Sequence, residues 1–190
     1  MPRVEMLPQQ PQASAARALF DQVRNAKGPD FPMPDLYRVL GVAPPMFKAW
    51  LDFAWPLRLH AKTSRKLREL LILRGALVSQ TPYEWAHHLP MADEAGVSAA
   101  QVEALPAWRQ ADCFDATERV VLQLADEVTA GPGASQDTID ALRRAAFDDE
   151  QIVELVLTAS FYVCVSRFLN SMDIRPEAGY ETPLPSVQPD

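Results

Sequence analysis

The chain has 190 residues, 48% of them hydrophobic and 23% charged, enough for one domain that buries its own core without disulfides or a structural metal. Its 18 Lys and Arg against 25 Asp and Glu leave a net charge of −7 with no basic block, which argues against a nucleic-acid partner. Seven glycines are few, and no GxGxxG or GxxxxGKS/T string occurs, so the common phosphate-cradling loops are excluded and strand-rich folds are disfavoured.

Residues 1–13 read as a polar, Pro/Gln-rich arm without the apolar stretch of a secretory signal. An amphipathic helix is predicted over 14–26. Residues 28–45 hold five prolines and two glycines and read as a wrapping loop with one helical turn at 35–40. A helix over 45–59 carries Trp50, Phe53 and Trp55, with Pro56 kinking or ending it. The next helix, 64–79, is capped by Thr63 or Ser64 and has Leu67, Leu70, Leu71, Leu77 and Val78 as its main apolar face.

Thr81, Pro82 and Glu84 spell the start of a helix over 82–95: a capping residue, a proline at the first position and an acid to complete a capping box, with Gly96 as the stop. Three more boxes are predicted at Ser98/Gln101, Asp115/Glu118 and Asp148/Gln151. Helices follow over 116–130, 136–146 and 149–170, and residues 176–190 read as a loose Pro-rich tail. The fold class is all-α, with seven or eight helices. Helices 64–79 and 82–95 form an antiparallel hairpin packed on a long C-terminal helix. The chain divides into an N-terminal arm with packing helices (1–60), a helical domain (61–175) and the tail. The longest apolar-leaning run, 155–166, is shorter than the roughly 20 residues of a membrane span. Two cysteines without CxxC spacing fit a cytoplasmic setting.

His60, His87 and His88 are the histidines of the chain. Glu84 and His88 are four apart, on one helix face, and a carboxylate beside an imidazole orients it and raises its basicity. Glu84 also reads as a plain cap. His87 points about 100° away from His88. Glu69 shares a stripe with Ile72, Leu73 and Ala76. It is either an exposed partner of Arg65 or a raised-pKa acid facing the next helix, where the short 79–81 link brings it to the depth of His88. Glu84 and His87 also have ExxH spacing, but a carboxylate-bridged metal pair needs a second ExxH and none occurs. In the last helix Thr158, Tyr162, Ser166 and Asn170 recur every four residues, with Arg167 beside them. They read as a stripe grazing solvent or as a polar pocket wall with Arg167 clamping a carboxylate.

The segment RKLRELLILRGALVSQTPYEWAHHLPMADEAGVS (65–98) resembles the carboxymuconolactone decarboxylase family, which shares its fold with alkylhydroperoxidase D-type proteins. FYVCVSRFLNSMDI (161–174) is similar to the end of longer members. The redox branch of that family opens its second helix with CxxCxxxH and has a glutamate one helix earlier. Laid on this chain, the cysteines fall on Thr81 and Glu84, the histidine on His88 and the glutamate on Glu69, so the proton-handling pair is present and both thiols are absent. The resemblance therefore implies the decarboxylase branch: a lyase without metal, flavin or nucleotide, acting on a carboxylate-bearing lactone or related intermediate of aromatic-compound breakdown. Catalysis would rest on His88, Glu84 and Glu69, and substrate binding on Arg167, Tyr162, Ser166, Asn170 and His87. It also implies a homo-oligomer, a trimer or hexamer, with a small anionic substrate and neither nucleic acid nor membrane as partner. The alternatives are a non-catalytic ligand-binding or structural oligomer and, disfavoured by the missing CxxC, a peroxidase.

Overall fold

The computed structural model describes residues 2–180 and 182–187, and among these every regular element is helical. The order is α1 (Ser14–Lys27), α2 (Asp35–Leu40), α3 (Pro44–Leu59), α4 (Arg65–Val78), α5 (Pro82–Glu94), α6 (Ala99–Ala104), a 3-10 turn (Leu105–Gln110), α7 (Ala116–Ala130), α8 (Gln136–Arg144) and α9 (Asp149–Met172). Nine α-helices form among the described residues, against the seven or eight expected, because the turn at 35–40 and the capped segment at 99–104 both close as short helices.

Local chemistry accounts for most boundaries. Ser98, Asp115 and Asp148 each accept a bond from the backbone N–H three residues on, and Gln101, Glu118 and Gln151 each return one, so all three of these boxes form. Gly96 ends α5 at φ +86°, a left-handed conformation that L side chains rarely adopt. Prolines occupy the first turns of α3 and α5, where no intrahelical N–H is needed. Pro56 does not end α3, which runs on to Leu59, and Ser64 forms no side-chain cap on α4.

α4 is the central element: it packs against α5, α7 and α9. Its burial is nearly all-round, from Leu70 through Leu73 and again at Ala76 and Leu77. The short link after it, with Gln80 at φ +51°, turns α5 back antiparallel to α4. α3 packs on α9, and Ala54 and Leu57 share one apolar cluster with Leu71, Leu124, Leu155 and Leu169. α9 is 24 residues with a window of mean hydropathy 1.7, apolar and long enough by those measures to cross a membrane, yet half of that window is buried inside the protein.

The N-terminal arm is strapped down. Leu7 N–H donates to the Arg38 carbonyl (3.2 Å), and the Gln9 amide bonds both the N–H and the carbonyl of Met33 (2.7 and 3.0 Å). The arm lies so close to Gly41 that a Cβ there would stand 2.9 Å from Leu7 Cδ1.

Candidate active site

Glu69 lies on the buried side of α4 and is fully shielded (0% exposed); His88 on α5 is 3% exposed. His88 Nδ1 lies 2.7 Å from Glu69 Oε2. Arg65, one turn earlier on α4, ion-pairs with the other oxygen. Each sequence reading of Glu69 holds in part: it pairs with Arg65, though buried rather than exposed, and it faces the next helix. Its expected raised pKa does not hold. Burial opposes its charge, but His88, Arg65 and Arg58 together outweigh that and keep Glu69 below the usual carboxylate range. His88 moves the other way. Burial, helped by Arg58 and Arg65, lowers its pKa against the pull of Glu69, so the neutral ring donates Nδ1–H to the carboxylate and Nε2 carries the lone pair.

Glu84 does not complete a cap. Thr81 makes no side-chain bond to α5 and instead donates to the Ser79 carbonyl (3.3 Å). Nor does Glu84 orient His88, as the i, i+4 spacing suggested. It reaches α9, where it is hydrogen-bonded to the Ser166 hydroxyl. Glu84 is 2% exposed and its Oε1 has no hydrogen-bond partner among the described residues. Burial pushes its pKa up to about 8, against the pull of Ser166 and Arg58, so it is a protonated acid at neutral pH. The two glutamates have exchanged their expected roles because Arg65 pairs with Glu69 and, among the described residues, no cation makes an ion pair with Glu84.

The polar stripe of α9 divides. Tyr162 and Ser166 are buried in the site. Thr158 is spent on the Glu154 carbonyl (2.7 Å). Asn170 is exposed and ties α9 to the helix link, through Ser79 O (3.0 Å) and Thr81 Oγ1 (3.3 Å), rather than lining a pocket. Arg167 is exposed and off the site: one residue is about 100° of helix, so burying Ser166 turns Arg167 outward.

The interior cation of the site that makes no ion pair among the described residues is Arg58, at the end of α3. It donates to the Tyr162 hydroxyl from Nε (3.3 Å) and Nη2 (3.1 Å), and no carboxylate among the described residues pairs with it. Tyr162, then Tyr37 and Glu69, hold it firmly cationic against burial. The Tyr162 ring stands edge-on to His88 at 5.0 Å between centroids. Sequence reading passed over Arg58, yet a signal existed: it follows Leu51 and Ala54 at i+7 and i+4, on the buried stripe of its helix.

His87 is stacked between Tyr83 (4.2 Å) and Tyr180 (4.1 Å), and its Nε2 lies 2.5 Å from Glu177 Oε2. The other Glu177 oxygen accepts from Tyr83 (2.9 Å) and from the Asp35 N–H (2.7 Å). Burial opposes the Glu177 charge, but the His87 and Asp35 bonds hold its pKa down to about 2. The start of the tail is thus a fastened strap, not a loose end; residues 181 and 188–190 lie outside the described residues.

These parts enclose a cavity of about 510 Å³. Arg58, Tyr162, Glu84, His87 and His88 line it, with walls from the wrapping loop, α3, α9 and the strap. Glu69 and Ser166 stand behind its lining. An acid holding a proton, a neutral imidazole oriented by an ionised carboxylate, and an unpaired guanidinium therefore share one largely apolar chamber. That set can bind an anion and transfer protons. Cys113 and Cys164 are exposed, free, and not part of it.

The family model described as carboxymuconolactone decarboxylase family matches residues 44–127, from the start of α3 into α7. No curated protein matches the chain. Among solved structures, the alkylhydroperoxidase AhpD core protein of Ralstonia eutropha JMP134, an uncharacterized peroxidase-related protein, is 18% identical with TM-score 0.80, covering 94% of each chain. An uncharacterized peroxidase-related protein of Silicibacter sp. TM1040 is 18% identical with TM-score 0.78, covering 97% of this chain and 98% of its own. The debrominase Bmp8, as a cysteine-to-alanine variant in complex with 2,3,4-tribromopyrrole, is 17% identical with TM-score 0.77, covering 95% of this chain and 96% of its own. At these identities the likeness is one of fold. Residues 44–127 of this chain, which has no CxxC, thus match the carboxymuconolactone decarboxylase family model, and the chain as a whole has the alkylhydroperoxidase D-like helical fold.

Proposed function

We propose that this protein is a cofactor-free lyase of the carboxy-lyase type, acting on a carboxylate-bearing lactone or related small acid from aromatic-compound breakdown. The observation that carries it is Glu84: a buried acid, protonated at neutral pH, lining the same cavity as the Arg58 guanidinium. In the reaction the bond between the substrate carbon and its carboxylate breaks, carbon dioxide leaves, and the electron pair stays on carbon, delocalised onto a conjugated carbonyl oxygen. Arg58 stabilises that negative charge throughout its transfer. The Glu84 O–H delivers its proton to the carbon, and the carboxylate left behind regains one from solvent, with His88 as the exchanging base and Glu69 holding its tautomer. The low-dielectric walls strengthen each of these interactions.

Thiol-based peroxide reduction is not part of the proposal, since the positions that would hold the thiols are Thr81 and Glu84. A relative of this fold that holds a brominated pyrrole is consistent with a chamber for small rings. Carbon dioxide release from a panel of carboxylated lactones tests the function. Turnover by the wild type is expected, with Glu84→Gln and His88→Ala reduced about 10²–10⁴-fold at unchanged helix content. No release from any lactone, or near-wild-type turnover by both variants, would overturn it. A trimer or hexamer belongs to the same proposal; a sedimentation mass near 21.1 kDa at micromolar concentration would remove it.

A further inference from the structure

The charged groups lining the cavity differ in how well the protein satisfies them. Arg38 is paired with Asp35 at 2.8 Å. Glu177 is held by His87, Tyr83 and the Asp35 amide. Lys27 is exposed at the rim, where water screens it. Arg58 alone among these is an interior cation whose hydrogen bonds end on one neutral phenol oxygen: no carboxylate among the described residues contacts it, and Glu69, which acts on it only through space, is already held by Arg65 and His88. A half-buried guanidinium in apolar surroundings calls for one anionic group, and its planar fork suits a carboxylate. A second anion would find no other unpaired interior cation among the described residues that line the cavity.

The remaining walls are mostly apolar and rich in aromatic rings. Trp50 and Phe161 meet edge to face at 5.1 Å, and Trp55, Tyr37, Phe31 and Met33 continue the lining. A chamber of about 510 Å³ lies within the roughly 300–1,000 Å³ typical of small-molecule sites. Aromatic walls reward a flat ring over a flexible chain, because the ring brings contact area without rotamer entropy.

We infer that the ligand of this cavity is a monocarboxylate on a flat, otherwise uncharged ring, its carboxylate on Arg58 and its ring among Trp50, Trp55 and Phe161. The inference rests on reading the cavity as the substrate site and narrows the substrate to a single charge and a planar body.

Non-reacting probes separate binding from turnover. Calorimetric titration of the full chain would compare 2-naphthoate with 2-naphthamide, naphthalene-2,6-dicarboxylate and octanoate. The expected result is one-to-one binding of 2-naphthoate, with the amide, the dianion and the flexible acid each about tenfold weaker or more. Arg58→Gln should lose about tenfold for 2-naphthoate and no longer distinguish it from the amide, while Arg58→Lys keeps the preference for the acid. Equal binding of acid and amide by the wild type, tighter binding of the dianion, unchanged affinity in Arg58→Gln, or no binding of 2-naphthoate at millimolar concentration would overturn it. Should Arg58→Gln fail to fold by circular dichroism, the wild-type series and Arg58→Lys still decide. Glu84→Gln distinguishes the two proposals: it should bind 2-naphthoate while losing carbon dioxide release. Binding without any release sinks only the lyase, and release without this selectivity sinks only the ligand class.

Discussion

At pH 7 Glu84 carries a proton that an exposed glutamate would have lost, and this has a thermodynamic consequence. Its folded pKa of about 8 lies above the unfolded carboxyl value, so the native state binds the extra proton. The group's favourable contribution is complete below the unfolded pKa and is lost as pH rises toward about 8, roughly 3 kcal/mol of it between pH 4.5 and 7. Glu84→Gln removes that term, so urea denaturation should show the variant gaining on the wild type as pH is raised from 5 to 8; a constant difference would mean that the carboxyl is not buried neutral. The same proton sets the activity profile. If Glu84 is the donor, turnover should fall as pH rises through about 8, and this limb should vanish in Glu84→Gln. His88→Ala should leave the limb in its residual rate, because the proton belongs to the acid.

At the scale of elements, four helix starts have capping-box spelling and three of them form it. The exception is α5, whose would-be box residue is Glu84. A cap contributes about 1 kcal/mol, and here the carboxyl is instead turned inward onto α9, at a cost in local stability and to the benefit of the cavity. The strap shows the opposite case, because an unremarkable tail glutamate gathers three partners. Glu177 gains stability from its depressed pKa above the ordinary carboxyl value and loses it as pH falls toward about 2. Glu177→Gln should therefore raise hydrogen exchange at the Asp35 amide and protease cleavage near 176–180 at neutral pH. The wild type should show the same change only in acid. Unaltered exchange in the variant would show that the stacked rings hold the strap alone.

For the molecule as a whole, α4 is the axis on which the rest is hung. Leu71 is 1% exposed in the cluster shared with α3, α7 and α9, so Leu71→Ala should cost about 2–5 kcal/mol in chemical denaturation. A loss under about 1 kcal/mol would mean that the core closes over the gap. Cys113 and Cys164 are free and exposed and do not line the site cavity, so Cys113→Ser and Cys164→Ser should leave stability within about 0.5 kcal/mol and any turnover intact. Loss of a robust hydroperoxide turnover in either variant would reinstate thiol chemistry.

The helical class, nearly every helix boundary, the hairpin of α4 and α5 and the pairing of Glu69 with His88 were legible in the sequence. Each is governed by short-range rules: capping residues, period 3.6, and a link too short to let two helices part. Tertiary structure alone decided what depends on distant neighbours. Whether Glu84 caps its helix or crosses to Ser166, 82 positions away, turns on how α5 sits against α9. Which glutamate keeps its proton depends on where Arg65 and Arg58 come to lie. That the site cation is Arg58 and not Arg167 follows from which side of α9 faces α3, and Glu177 enters only because the tail folds back over His87. Protonation and charge pairing are sums over everything within a few ångströms, and those neighbours come from remote parts of the chain that only the folded structure brings together.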